Sequence, residues 1–124
     1  MPLSILIVDD SAVVRHSLRS SIEHSTDWNV CGEAENGKIA IEKVRELSPD
    51  AVILDFAMPV MNGMDAARRI ARIAPHTTMV MLTMHNSVEL LKKAQAAGIK
   101  DVVSKSERVL DHLRASLRAA CAGA

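Results

Sequence analysis

Apolar residues follow two rhythms along the chain. Short runs place them at consecutive positions: Ile5-Leu6-Ile7-Val8, Val30 to Ala34, Ala51-Val52-Ile53-Leu54, Met79-Val80-Met81-Leu82 and Val102-Val103. A strand with one wet face alternates apolar and polar residues, whereas unbroken runs suit strands covered on both faces, as in a parallel sheet. Between the runs, apolar residues return every third or fourth position. Val14, Leu18 and Ile22 form one stripe, and Ala40, Ile41, Val44 and Leu47 a second. Ala66, Ala67, Ile70 and Ile73 form a third; Leu90, Leu91 and Ala94 a fourth; Leu110, Leu113 and Leu117 a fifth. This is the spacing of amphipathic helices.

The punctuation agrees. Pro49, Pro75 and Gly98 follow the second, third and fourth stripes, and such residues stop helices. Asn86 with Glu89 reads as a capping box opening the fourth helix. The pattern is five strand–helix units in a row, an α/β class that predicts one parallel sheet with helices on both faces and right-handed crossovers. The 124 residues suffice for one domain, read as 1–124, with a C-terminal tail at 119–124 expected to fray.

Composition narrows the function. Fifteen Lys and Arg balance fifteen Asp and Glu, which argues against a domain built to coat nucleic acid or an anionic membrane. Cys31 and Cys121 have no metal-ligand spacing and read as reduced thiols. No segment is long and apolar enough to span a bilayer, and the N-terminus lacks the features of a signal peptide. The expectation is a soluble, cytoplasmic protein.

In open parallel sheets ligands bind at the carboxyl ends of the strands, near the point where strand order reverses. Strand one ends in Asp9-Asp10, strand three in Asp55, strand four in Thr83, and strand five runs through Ser104 into Lys105. Each has an ordinary reading: a helix cap for Asp9 or Asp10, a turn for Asp55, a local backbone partner for Thr83, a solvated surface cation for Lys105. Together they fare differently, because three acids at one point repel and one Lys cannot neutralise them. Either a carboxylate holds a proton or a cation binds. Hard oxygen ligands with open positions suit Mg2+. A bound divalent ion would screen the third carboxylate against an anionic phosphoryl donor, Lys105 would add a second positive contact, and Thr83 a hydroxyl donor. No glycine-rich phosphate loop is present, so the donor would be a small molecule or another protein rather than a nucleotide held by this chain.

At this point the chain resembles the receiver domain of two-component response regulators. The motifs that carry the resemblance are Ile7-Val8-Asp9-Asp10-Ser11, Val52-Ile53-Leu54-Asp55 with Met58-Pro59 and Asn62-Gly63, Met81-Leu82-Thr83, and Val103-Ser104-Lys105. The resemblance implies a flavodoxin-like sandwich with strand order 2-1-3-4-5. It implies that Asp55 is the phosphoacceptor, that Asp10 ligates Mg2+ directly and Asp9 mainly through water, and that the backbone carbonyl of Ala57 completes the protein ligands. Lys105 would pair with the phosphoryl oxygens. Thr83 would swing onto the phosphoryl group and draw the loop before the fourth helix with it. The implied donor is the phosphohistidine of a sensor histidine kinase or phosphotransfer protein, with small acyl phosphates as an alternative. The implied output is a changed surface over helix four, strand five and helix five that a downstream effector protein or an output domain reads. The expected state is a monomer or weak homodimer.

Three positions depart from the common pattern. Val102 stands where many receivers carry Tyr or Phe, so an aromatic rotamer switch is missing. Ser106 stands where Pro is common, so no cis peptide is expected there. Met84 replaces a small residue and could slow access to the site. Thr83-Met84-His85-Asn86 and the Lys-Ser ending look most like receivers of the NarL/FixJ type, which usually precede a DNA-binding domain; a stand-alone receiver is the expectation here. His85 reads as a rim residue that could shape attack by water. His16, His24, His76 and His112 read as surface residues, and the methionines near the strand ends mainly as adaptable packing. Rival readings are a metal-dependent phosphohydrolase, disfavoured because Phe56 and Ala57 offer no second acid after Asp55; a partner-binding pseudo-receiver; and a flavin-binding protein, disfavoured because the sequence has no phosphate-binding loop and almost no aromatics.

Overall fold

The computed structural model describes residues 3–58, 60–105 and 108–121. Strands and helices alternate as β1 (Ser4–Val8), α1 (Ala12–Ser25), β2 (Asn29–Ala34), α2 (Gly37–Leu47), β3 (Ala51–Asp55), α3 (Gly63–Ile73), β4 (Thr78–Thr83), α4 (Val88–Ala96), β5 (Asp101–Ser104) and α5 (Val109–Cys121). The sheet has five strands in the order β2-β1-β3-β4-β5, and every neighbouring pair is parallel. The order reverses between β1 and β3, so a crevice opens at their carboxyl ends.

The unbroken apolar runs follow from the pleat. Successive side chains point to opposite faces, and here both faces are covered. Leu6, Val8, Val52, Leu54, Met79 and Met81 face a layer formed by α2, α3 and α4. Ile5, Ile7, Ile53, Val80, Leu82 and Val103 face α1 and α5, meeting Leu18, Ile22, Leu113 and Leu117. Ile5, Leu6, Ile7, Ile53 and Leu54 are all fully buried. Val102 packs into the α2–α3–α4 layer. Gly98 closes α4: its φ of +96° is a conformation that side chains disfavour, and a Cβ there would lie 2.8 Å from the Ala71 Cβ.

Three local readings need correction. The N-cap of α4 is Ser87, whose hydroxyl accepts from the Leu90 N–H, rather than Asn86. Asn86 is drawn away because its side-chain amide donates to the Val102 carbonyl at 3.2 Å. Ile73, the last residue of the third stripe, is 38 % exposed, since α3 ends there. Residues 119–121, expected to fray, continue α5 through Cys121, while 122–124 lie outside the described residues. Ser106 and Pro59, both named in the motif reading, lie outside them as well. Cys31 and Cys121 are free, and burial pushes the Cys31 thiol up from its ordinary value. Among the described residues no helix is long and apolar enough to cross a membrane.

Candidate functional site

The carboxyl edge of the sheet assembles the polar residues that end its strands. Asp9 follows β1 directly and is 1 % exposed. Its N–H donates to the Ala34 carbonyl at 3.0 Å, so β2 steers the chain one residue past the strand. One Asp9 oxygen accepts the Ser11 N–H at 2.9 Å, and the other accepts Lys105 Nζ at 3.2 Å. The cap of α1 is then left to Ser11, whose hydroxyl accepts from the Val14 N–H. Asp10, by contrast, is exposed.

Asp55 ends β3 and is 5 % exposed. Lys105 Nζ lies 2.9 Å from its Oδ1, and the Lys105 N–H bonds to the Thr83 carbonyl at 2.7 Å, tying the lysine to the end of β4. One carboxylate oxygen from each of Asp9, Asp10 and Asp55 lies within 4.8 Å of the others. The turn after β3 depends on Gly63. A Cβ at that position would lie 2.3 Å from the Asp55 carbonyl oxygen, so only glycine lets α3 start beneath this carboxylate. The Gly63 N–H donates to the Phe56 carbonyl at 3.0 Å, and Asn62 caps α3 through the Asp65 N–H at 2.9 Å.

Burial pushes the Asp55 carboxyl up from its ordinary value; the Lys105 hydrogen bond opposes this, while the charges of Asp9 and Asp10 add to the rise. Burial disfavours the Lys105 ammonium, yet its hydrogen bond to Asp55 and the charges of Asp9 and Asp55 outweigh that, and it stays charged above its ordinary range. One ammonium thus faces two buried carboxylates, with the Asp10 carboxylate beside them. Three hard oxygen donors in this space fit a small divalent cation that keeps part of its water shell.

Thr83 ends β4 and is 7 % exposed. Its hydroxyl accepts from the His85 N–H at 3.3 Å and donates to the His85 carbonyl at 3.4 Å. Asp55, Phe56, Ala57, Thr83, Met84, His85, Leu90 and Lys105 line a cleft of about 530 Å3. Met84 is 68 % exposed and is one of the residues that line the cleft. Met64, Met79 and Met81 are packed inside, whereas His16, His24, His76 and His112 are exposed, as expected. Two residues escaped notice in the sequence. Arg15, one turn into α1, donates to the Asp9 carbonyl at 2.6 Å and to Glu33 at 3.0 Å. No periodicity marks a pair that joins a helix to a neighbouring strand.

The response regulator receiver domain family matches residues 5–118, so the chain belongs to that family, whose members act as signalling switches. It is 40 % identical to the chemotaxis protein CheY of Thermotoga maritima over 82 % of this chain and 83 % of that one. It is 36 % identical to the transcriptional regulatory protein YdfI of Bacillus subtilis, covering 92 % of this chain but 54 % of the relative. Against a protein-glutamate methylesterase of Methanosarcina acetivorans it is 42 % identical over 82 % of this chain and 30 % of the relative. The chain therefore spans most of the chemotaxis protein, about half of the transcriptional regulator and less of the esterase. Among solved structures, the response regulator domain of Thermotoga maritima CheB superposes with a TM-score of 0.90 at 31 % identity, covering 97 % of this chain and 96 % of that one. A chain of the CheX–CheY–BeF3–Mg2+ complex of Borrelia burgdorferi superposes with a TM-score of 0.86 at 26 % identity, covering 96 % and 90 %.

Proposed function

We propose that this receiver accepts a phosphoryl group on Asp55 from the phosphohistidine of a sensor histidine kinase or phosphotransfer protein, and that the charge so placed resets a partner-binding surface. The observation that carries the reading is the carboxylate of Asp55 held 2.9 Å from Lys105 Nζ within reach of two further acids. An Asp55 oxygen forms the new P–O bond as the P–N bond of the donor breaks, and the donor imidazole keeps the electron pair and takes up a proton. Lys105, already charged and fixed between β4 and the acids, meets the phosphoryl oxygens. Thr83 gives up its two bonds to His85 and donates to the phosphoryl group.

Mg2+ is the fitting metal: Asp10 and Asp55 would bind it directly, Asp9 mainly through water, and the Ala57 carbonyl would complete the protein ligands. When bound, the ion supplies neutralisation of charge on the phosphoryl oxygens during in-line transfer. The remaining catalysis is limited to the chain's own phosphorylation and dephosphorylation. The loop from Thr83 to Asn86 would transmit the change to α4 and β5, and an effector protein or a further domain would read it. Such a switch works in the cytoplasm.

Intact mass after incubation with Mg2+ and acetyl phosphate tests the reading. Wild type gains one phosphoryl group, Asp55→Asn gains none, and chelation abolishes the gain. Equal labelling of the two proteins would overturn the assignment of Asp55.

A further inference from the structure

We infer that Arg15, oriented by Glu33, is a positioning residue for the metal-binding turn; the inference rests on the Mg2+ reading above. Among the described residues Asp10 makes no hydrogen bond through its carboxylate, so its place is set by the backbone that carries it. That backbone is the Asp9–Asp10 peptide. Its carbonyl accepts Arg15 Nη1 at 2.6 Å, and its preceding N–H group is fixed to β2 through Ala34. The guanidinium itself is braced. Its Nε lies 3.0 Å from one oxygen of Glu33, and the other oxygen of Glu33 takes Arg19 Nη1 at 2.5 Å. Arg19 is anchored in turn on the Val30 carbonyl at 3.2 Å. A planar cation with donors at fixed angles can hold a carbonyl and a carboxylate at once; an ammonium cannot reproduce both. The Arg15 side chain is 16 % exposed, while Glu33 and Arg19 behind it are 26 % and 38 % exposed, so the guanidinium that meets the turn is the most buried part of the brace.

Two effects of Arg15 on a metal have opposite signs. Its charge stands on the Asp9 carbonyl, at the turn that bears the acids, and repels a cation, so a charge effect alone makes Mg2+ bind more tightly when Arg15 is lost. Positioning makes it bind more weakly, because the peptide bearing Asp10 is freed and ordering it costs part of the binding energy. The sign of the change therefore separates the two.

The test is calorimetric titration of the unphosphorylated protein with MgCl2, for wild type, Arg15→Met, Arg15→Lys and Glu33→Ala, with thermal midpoints measured in parallel. Arg15→Met weakens Mg2+ binding about tenfold, and Arg15→Lys by nearly as much although the charge is kept. Glu33→Ala weakens it less, and Arg15→Met combined with Glu33→Ala is no worse than Arg15→Met alone, since the two act as a unit. Labelling by acetyl phosphate slows at low Mg2+ in each variant and recovers at saturating Mg2+. Unchanged or tighter Mg2+ binding by Arg15→Met, even with a lowered thermal midpoint, overturns the inference and leaves Arg15 a structural tie between α1 and β2. Absence of Mg2+ binding by wild type overturns the metal reading and this inference together.

Discussion

The β1–α1 turn and the β4–α4 loop leave the same edge of the sheet but are held by very different means. In the first, Asp9 is fixed through its N–H, its carbonyl and both side-chain oxygens, by partners on β2, α1 and the segment after β5. In the second, residues 84–89 are all exposed. That loop is tied by the long bonds between Thr83 and His85 and by the Asn86 amide on the Val102 carbonyl. The first region gathers charge that must keep its geometry. The second can exchange its few bonds for others at small cost, as the switch proposed above would require.

The contrast makes graded demands on mutation. Gly63 belongs to the rigid side, and Gly63→Ala drives a methyl into the Asp55 carbonyl. The expected loss is about 3 kcal/mol in urea denaturation, with slower labelling by acetyl phosphate. Asn86→Ala removes one bond from the loose side, which is expected to cost about 1 kcal/mol or less. Amide exchange in that variant should quicken across residues 84–88 and stay unchanged around Asp9. Equal losses for the two variants, or exchange that quickens on both sides, would break the comparison.

Asp55→Asn gives the smallest effect, and with the opposite sign. The folded protein holds the Asp55 carboxyl above its unfolded value, burial being the main cause. Ionised Asp55 therefore destabilises the fold at neutral pH, and that cost fades as pH falls through the folded value toward the unfolded one. The variant should show a thermal midpoint a few degrees higher at neutral pH, on the order of 1 kcal/mol or less, with the two proteins converging near pH ~3.5. A midpoint lowered at neutral pH would mean that the bond from Lys105 outweighs desolvation.

The sheet was legible in the sequence because burial on both faces writes unbroken apolar runs, and the helices because burial on one face writes stripes. The gathering of Asp9, Asp10, Asp55, Thr83 and Lys105 at one edge was legible for a related reason: each lies within two residues of the end of an apolar run, and in a parallel sheet all such ends point the same way. The start of α4 was not. Asn86 and Ser87 are both good caps, and Glu89 lies at the right interval from Asn86. The choice fell to a tertiary bond, Asn86 to the Val102 carbonyl, which local pattern cannot contain. Arg15 and Glu33 were hidden likewise, being a contact across 18 residues between a helix and a strand.

The ion pair between Lys105 and Asp9 joins residues 96 apart, near the two ends of the fold. During synthesis, then, β1 and its acids exist long before their counter-charge emerges from the ribosome. A chain broken anywhere between them holds carboxylates with no ammonium to face, and a chain that misplaces β5 does the same. Assembly of the charged edge thus waits on the last strand of the sheet: the ammonium that Asp9 and Asp55 face follows β5.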